Sequence, residues 1–546
     1  MKKSIPAVLL KWLITLLVIG GYYYFVLPPI NWQSKEFWSF VTFAIVISVV
    51  INAFSQVMEF LRDSKKTVKV AGKPHLNLKS LGKPLKVALF SILTIVVLSA
   101  LASLVGAEIF NAKGYNQLIT LKDGDFIEDV AEISQDQIPV VDRDTASRLG
   151  QRKLGEMADL VSQFEIEEIY TQINYKGKPV RVTPLMYGDV IKWFNNRSQG
   201  IPAYITVDMT TQETELVRLE NGIKYSDSEY FMRDLNRALR FKYPTKIFDN
   251  ISFEIDDNGT PYWVASVIDF KIGFWSGSDI DGVVLMNAQT GESVYYKLEE
   301  APVWIDQVFD SYMIEQQLIY NGKYRSGFFN SIFGQRGVLQ PTDGYNYLAL
   351  DDDVYLYTGM TSVTSDESNV GFVLVNLRTK ETKFYTIPGA EEYSAMGSAE
   401  GQVQHLGYSA TFPLLLNVSD RPTYFMSLKD GAGLVKMYAF VDVNQYQIVG
   451  TGNSVESARA DYISKLKTEN VTDAPEAEKQ EVTGVIADIT SAVIEGNTVY
   501  YLKLENNATV YTVLVTKSDR LPFAQAGDTV TLALNGTVIE AITFAE

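Results

Sequence analysis

The chain of 546 residues contains no cysteine and only two histidines, His75 and His405. The first absence excludes disulfides, thiolate nucleophiles and cysteine-ligated metals. The second all but removes histidine metal sites and catalytic triads. Basic residues are concentrated near the start. Residues 1–86 hold twelve lysines and arginines against three acids, a balance of +9; the whole chain carries −17, so the remainder carries −26. So acidic a body argues against nucleic acid as a partner, because phosphate binding needs basic stripes. Its simpler meaning is solubility of a large exposed surface.

Signatures of chemistry are also missing. No phosphate-cradling glycine loop with its Lys-Ser/Thr occurs, and Gly407-Tyr408-Ser409-Ala410-Thr411 lacks the last glycine of a nucleophile elbow. Paired carboxylates for glycoside hydrolysis need a cleft that sequence cannot place. Asp279 and Asp281 are candidate Ca²⁺ ligands, as are Asp256-Asp257 and Asp351–Asp353. None belongs to a loop ending in a bidentate glutamate, and such clusters ordinarily make turns. The expectation is therefore a protein without catalytic residues or a cofactor.

What is present begins with three apolar runs, over 5–27, 37–61 and 87–110, each long enough to cross a bilayer as a helix. No small-residue cleavage site follows the first, and Tyr22-Tyr23-Tyr24-Phe25 ends it, so it reads as a retained anchor. Between the second and third runs, residues 62–86 hold eight basic residues against one acid, which predicts a cytoplasmic loop. The N-terminus is then cytoplasmic and everything after about residue 110 lies outside. An external body of this size without cysteine fits the plasma membrane of a bacterium better than an oxidising lumen. Glu59 and Glu108 sit at span ends, so anchoring is a simpler role than transport.

The body is organised around a repeated stretch. Met286-Asn287-Ala288-Gln289-Thr290-Gly291-Glu292 has relatives in Val207-Asp208-Met209-Thr210-Thr211-Gln212-Glu213 and Val375-Asn376-Leu377-Arg378-Thr379-Lys380-Glu381. A degenerate copy, Val441-Asp442-Val443-Asn444-Gln445-Tyr446-Gln447, keeps the first two positions. The copies start 79, 89 and 66 residues apart, which is domain spacing. Each lies between alternating strands, where Asp or Asn bonds to backbone two residues on and Gly291 supplies a positive φ. A second hairpin precedes each turn, and Pro179, Pro261 and Pro422 follow its bend, as a strand start tolerates. Helical segments at 228–241, 304–320 and 455–466 complete units of antiparallel sheet plus helix. The spacing of Leu154, Met157, Val161 and Phe164 predicts one further helix ahead of them.

Asn287-Ala288-Gln289-Thr290-Gly291-Glu292, set between strands, resembles the hairpin of PepSY-type domains, as does Val441-Asp442 followed by Gly450-Thr451-Gly452 and a helix. Those are small extracytoplasmic α+β modules of bacterial proteins, and the resemblance implies compartment and architecture rather than a ligand. In Gln212 and Lys380 the other copies depart from the glycine. After a charged linker, five short strands with Asn535-Gly536 as the last turn resemble an OB-type barrel. With Lys503, Lys517 and Arg520 its main basic residues, contact with protein suits it better than contact with oligonucleotides.

The predicted fold is multidomain: a three-helix membrane anchor (1–110), a connector with a helix (111–165), α+β repeats at 166–245, 246–325, 326–410 and 411–467, a linker (468–480) and a five-stranded barrel (481–546). Within the third repeat, residues 327–338 place phenylalanines among glycines. Phe328, Phe329 and Phe333 are interface candidates, able to enter a neighbouring subunit or lipid headgroups if exposed, or to cover a core edge if not. The expected role is a membrane-anchored scaffold of the cell envelope, as a homo-oligomer or with other envelope proteins. The alternative is a sensor or regulator that binds protease or peptide along a sheet edge.

Overall fold

The computed structural model describes residues 5–67, 78–134, 137–350, 352–363, 368–468, 480–494, 497–507, 509–535 and 537–545. His75, Asp351, residues 469–479 of the linker and the turn glycines Gly496 and Gly536 lie outside these. The chain forms two compact units, Met1–Gly124 with Val141–Thr386, and Asp125–Val140 with Ile387–Glu546.

The first unit begins with three helices long and apolar enough to cross a membrane: α1 (Ile5–Val26), α2 (Lys35–Thr67) and α3 (Leu78–Val105). Leu17, Phe54 and Phe90 are 66, 65 and 71 % exposed, a surface that suits lipid and not water. Tyr22 stacks on Phe43 at 4.0 Å to join α1 and α2, and the Ser34 hydroxyl caps α2 by accepting from the Phe37 amide at 3.2 Å. Both α2 and α3 run past the apolar runs into basic sequence, since lysine and arginine are good helix formers. At its C-terminal end α3 stops at Val105 rather than near 110. Gly106 interrupts it and a separate helix, α4 (Glu108–Asn116), starts with a kink at Asn111.

Helix α5 (Phe126–Asp129) belongs to the second unit. In the first, α6 (Arg143–Gly155) is capped by Asp142, which accepts from the Thr145 amide at 2.9 Å. The helix expected over 154–164 is therefore misplaced. The helix ends at Gly155, the chain turns, and Phe164 opens a strand; the apolar spacing crossed two elements by coincidence.

The first sheet holds Phe164–Ile166, Thr171–Tyr175, Lys178–Tyr187, Ile201–Asp208 and Thr214–Ile223. The long strand Lys178–Tyr187 pairs with two short ones on the same side: Thr171–Tyr175 along one half and Phe164–Ile166 along the other. Helix α7 (Val190–Asn196) bridges to the next strand, and α8 (Leu235–Lys242) follows the sheet. The second sheet is antiparallel in the order Ser293–Lys297, Ser276–Asn287, Pro261–Ile272, Phe248–Ile255, and is followed by α9 (Ser311–Lys323). The third contains Leu339–Pro341, Asn346–Leu350, Asp353–Ser362, Ser368–Asn376 and Thr382–Tyr385. Lys122–Asp123 joins its Thr382–Tyr385 edge in parallel. The second and third sheets share one core: Val264, Leu285, Phe309, Ile314 and Leu318 pack with Val354, Leu356, Val373 and Val375. They are one folded body rather than two separate blocks.

All four signature turns close alike. The Oδ1 of Asp208, Asn287, Asn376 and Asp442 each accepts from the amides two and three residues on, at 2.8–3.0 Å. In the first three, the threonine hydroxyl accepts from the glutamate amide at 3.2–3.3 Å. Gln212 and Lys380 adopt φ of +65 and +62, matching +74 at Gly291, so the missing glycine does not change the turn. The next residue is buried each time (Met209, Ala288, Leu377, Val443), and its amide donates to the preceding hairpin at Pro179, Pro261, Val354 and Pro422. The prolines that cannot donate thus accept from the turn that follows.

In the second unit, α10 (Glu392–Gln402) and α11 (Val455–Thr468) pack on a sheet of Ser409–Ala410, Leu414–Asn417, Pro422–Lys429, Val435–Asp442 and Val449–Gly452. Ala458, Tyr462 and Leu466 of α11 are fully buried. Residues 125–140 are drawn in here as well: Asn417 Nδ2 donates to Val130 O and Ser427 Oγ to Val140 O. The last five strands, Gln480–Ile494, Asn497–Leu504, Val510–Leu514, Thr529–Asn535 and Val538–Phe544, pair antiparallel except for a single parallel pair, Thr512 with Val538.

Candidate functional site

The first unit concentrates its unusual contacts where the membrane helices meet the sheets. A helix ends with four unpaired carbonyls and a partial negative charge. At the end of α1, Arg237 Nε donates to Tyr24 O at 3.2 Å and Arg240 Nε to Leu27 O at 2.9 Å. Both arginines stand on α8, more than two hundred residues away. The Arg237 guanidinium also lies 4.3 Å over the Tyr24 ring, and Tyr23 meets Phe241 edge-on at 5.8 Å. Just beyond, the Ile30 amide donates to Pro244 O at 2.6 Å and Asn31 Nδ2 to Thr245 O at 2.9 Å.

The end of α3 is held too. The Tyr115 hydroxyl donates to Gly106 O at 2.7 Å. A side chain on Gly106 would come within 2.5 Å of Ser276 Oγ, so a larger residue there requires the serine side chain to move. Glu108 accepts from the Tyr324 hydroxyl and pairs with Lys323 at 3.3 Å. Asn116 and Asn321 donate to each other's backbone carbonyls at 2.7 and 2.9 Å, clasping α4 to α9.

The phenylalanine loop follows α9. Phe328 is half-buried, stacked on Tyr324 at 6.1 Å, so it cements the core edge. Phe329 and Phe333 are 65 and 82 % exposed, the first just before and the second within a π-helical turn, Asn330–Gly334. Such turns are rare and recur at functional sites. The three interface candidates therefore divide: Phe328 half-buried at the core edge, Phe329 and Phe333 exposed.

The Ca²⁺ candidates are committed elsewhere. Asp279 pairs with Lys380 at 2.5 Å, and Asp281 accepts from the Tyr295 hydroxyl at 2.5 Å with Lys246 at 3.7 Å. Asp256 closes a turn through the Asn258 and Thr260 amides, and Asp353 holds Arg378. Among the described residues, no group of three or more histidines or acids could hold a metal. His405 sits in a short 3₁₀ turn.

Sequence reading missed a buried acid pair. Glu254 and Asp306 are fully buried. Glu254 accepts from the Asp306 and Gln307 amides and the Ser252 hydroxyl, while Asp306 Oδ2 accepts from the Asn174 amide at 2.7 Å. Asp306 Oδ1 has no hydrogen-bond partner. Burial pushes Glu254 up to about 7 despite its three donors. Burial, with the Glu254 charge added, raises Asp306 well above the carboxylate range. The pair ties the Thr171–Tyr175 hairpin to the second sheet.

A groove of about 540 Å³ runs between α6 and the edge strand Phe164–Ile166. Asp144, Glu165, Glu167 and Glu168 make it acidic, with Arg143 at one side and Tyr170 along its wall. Burial raises the Glu167 carboxyl.

Neither known families nor curated proteins match this chain. Solved structures give slight likenesses. A dihydro-heme d1 dehydrogenase, NirN, aligns at TM-score 0.13 and 9 % identity over 68 % of this chain and 45 % of its own. A levansucrase from B. megaterium aligns at 0.17 and 8 % over 76 and 97 %, and a chimera of ACO and RPE65 at 0.13 and 8 % over 70 and 65 %. At these scores no fold or activity carries over.

Proposed function

We propose that this chain is a non-enzymatic, membrane-anchored scaffold of a bacterial cell envelope, with its body outside the plasma membrane and its N-terminus in the cytoplasm. The observation that carries this reading is the double fastening of stem to body. Capped carbonyls at α1 and the asparagine clasp behind α3 suit a protein that transmits position rather than one that tethers a mobile domain. The sheet-plus-helix units are taken as PepSY-type modules and residues 481–546 as an OB-type contact module. Phe329 and Phe333 are taken as exposed contact residues, for lipid headgroups or a neighbouring subunit, and the working form is a homo-oligomer or a larger envelope assembly. Mass measurement of the detergent-extracted chain tests this: several copies per particle are expected, and a strict monomer would count against it.

The acidic groove supports a second reading, an envelope regulator that binds peptide. Among the described residues, the strand Phe164–Ile166 pairs on one side only, leaving an edge for strand addition. The lining acids select a basic peptide. A monomer that binds an extended lysine-rich peptide, and loses it on Glu167→Lys, would favour this reading.

A further inference from the structure

Three exposed apolar points in the first unit lie beside the outer ends of the membrane helices. The first is on α7 and the turn before α8. Ile191, Phe194, Phe231 and Met232 are all more than half exposed. Phe231 is 6.0 Å from the Trp193 ring and holds a φ of +56, a strained state for a bulky side chain. One guanidinium ties this point to the membrane stem: Arg237 donates to both Phe231 O and Tyr24 O. The second point is Phe274, in a turn of the second sheet, whose ring meets Trp32 of the α1–α2 connection at 5.1 Å. The third is the phenylalanine loop, joined to the end of α3 through Phe328, Tyr324 and Glu108, with exposed Phe110 nearby in sequence.

Arginines stand at the first and third points. Lys192 pairs with Asp189 and Lys323 with Glu108, which leaves Arg197 in the 190–197 segment and Arg325 and Arg336 in the 323–336 segment as the cations beside the apolar rings. Arg197 stacks on Phe194 at 4.4 Å, so its charge rims the apolar patch. Apolar side chains rimmed by cations, on a chain otherwise at −26 after residue 86, match the headgroup boundary of an anionic bilayer.

We infer that the first unit is seated on the outer leaflet of its own membrane, with Phe194, Phe274 and Phe333 entering the headgroup region of anionic lipid. This rests on the membrane-anchored reading. It adds that the body lies against the bilayer instead of standing clear of it, and that lipid, not a second copy, covers Phe333.

Because the chain has no cysteine, single cysteines report cleanly. Phe194→Cys, Phe274→Cys and Phe333→Cys, each in the full chain, are labelled with a polarity-sensitive dye and reconstituted in phosphatidylcholine vesicles containing phosphatidylglycerol. Leu17→Cys on α1 is the lipid reference and Asp257→Cys, in an exposed turn, the water reference. Nitroxide-bearing lipids should quench all three test positions several-fold more than Asp257→Cys, and more strongly with phosphatidylglycerol than without. Quenching at the Asp257→Cys level would overturn the seating. So would shielding from water without lipid quenching that disappears when the chain is diluted among vesicles, the mark of a second copy. Should Leu17→Cys itself escape quenching, the membrane-anchored reading fails with it, whereas normal quenching there with none at the three points overturns the seating alone.

Discussion

At the scale of single residues, the signature turn separates what a side chain contributes from what its backbone must do. Gln212 and Lys380 occupy the left-handed region that Gly291 fills, at a cost of about 1 kcal/mol each. Glycine there would relieve that cost but add about as much unfolded-chain freedom. Gln212→Gly should therefore change stability by less than about 0.5 kcal/mol. Gly291→Gln is a different matter, because its Cβ would lie 2.2 Å from the Tyr225 ring. We expect a loss above about 2 kcal/mol in urea unfolding. Three of the turns were legible because aspartate or asparagine followed by threonine carries the hydrogen bonds, and the fourth through Asp442 alone; the left-handed residue was misjudged because glycine is only one way to hold it.

The buried acids were illegible, since Glu254 and Asp306 lie 52 positions apart and neither is in a motif. They carry a pH prediction. The unfolded chain releases these protons in the ordinary carboxylate range, whereas the folded chain holds them at higher pH, toward about 7 for Glu254. Stability is thus complete at low pH and falls as pH rises through that window. Asp306→Asn mimics the protonated acid, so it should flatten the fall and raise stability at pH 8. Thermal melts from pH 5 to 8 would show it; an unchanged slope would place the proton elsewhere.

At the scale of elements, apolar periodicity found the membrane helices but misplaced shorter ones. Leu154 and Phe164 are both buried, and their spacing fits one helix, yet Asp142 caps a helix that ends at Gly155. Caps decide such cases, and a lone aspartate is easily overlooked. Arg237 and Arg240 likewise read as an ordinary basic helix face, because the carbonyls they cap belong to α1. Arg240 is buried, and besides Leu27 O it donates to Lys246 O at 2.5 Å. Arg240→Ala would strand both carbonyls and remove a cation from a helix C-terminus, costing about 2–4 kcal/mol. Hydrogen exchange should rise in the α1–α2 connection and in α8 together. A rise in α8 alone would mean that the stem is held by other contacts.

At the scale of the whole molecule, turn spacing marked out the modules but not which of them share a core. The second and third sheets look like separate units in sequence, each with its own hairpins and turn. In the fold, Phe309 and, on α9, Ile314 and Leu318 belong to one core with residues of both sheets. The C-terminal strands are the opposite case: among the described residues, their core of Ile486, Leu502, Val513, Leu532 and Ile542 draws on residues within 482–544. Truncation distinguishes the two. A chain ending at residue 468 retains every side chain of the shared core and should unfold within about 0.5 kcal/mol of the same domain in the intact protein. A chain ending at residue 326 opens Val264, Leu285 and Leu318 to water where Val354 and Val375 had covered them. At roughly 1.5–3 kcal/mol for each large side chain uncovered, that loss exceeds the margin of an ordinary domain. Limited proteolysis should then leave a stable fragment from the longer chain and degrade the shorter one through its second sheet. Equal resistance in both would mean that the second sheet is stable without the third.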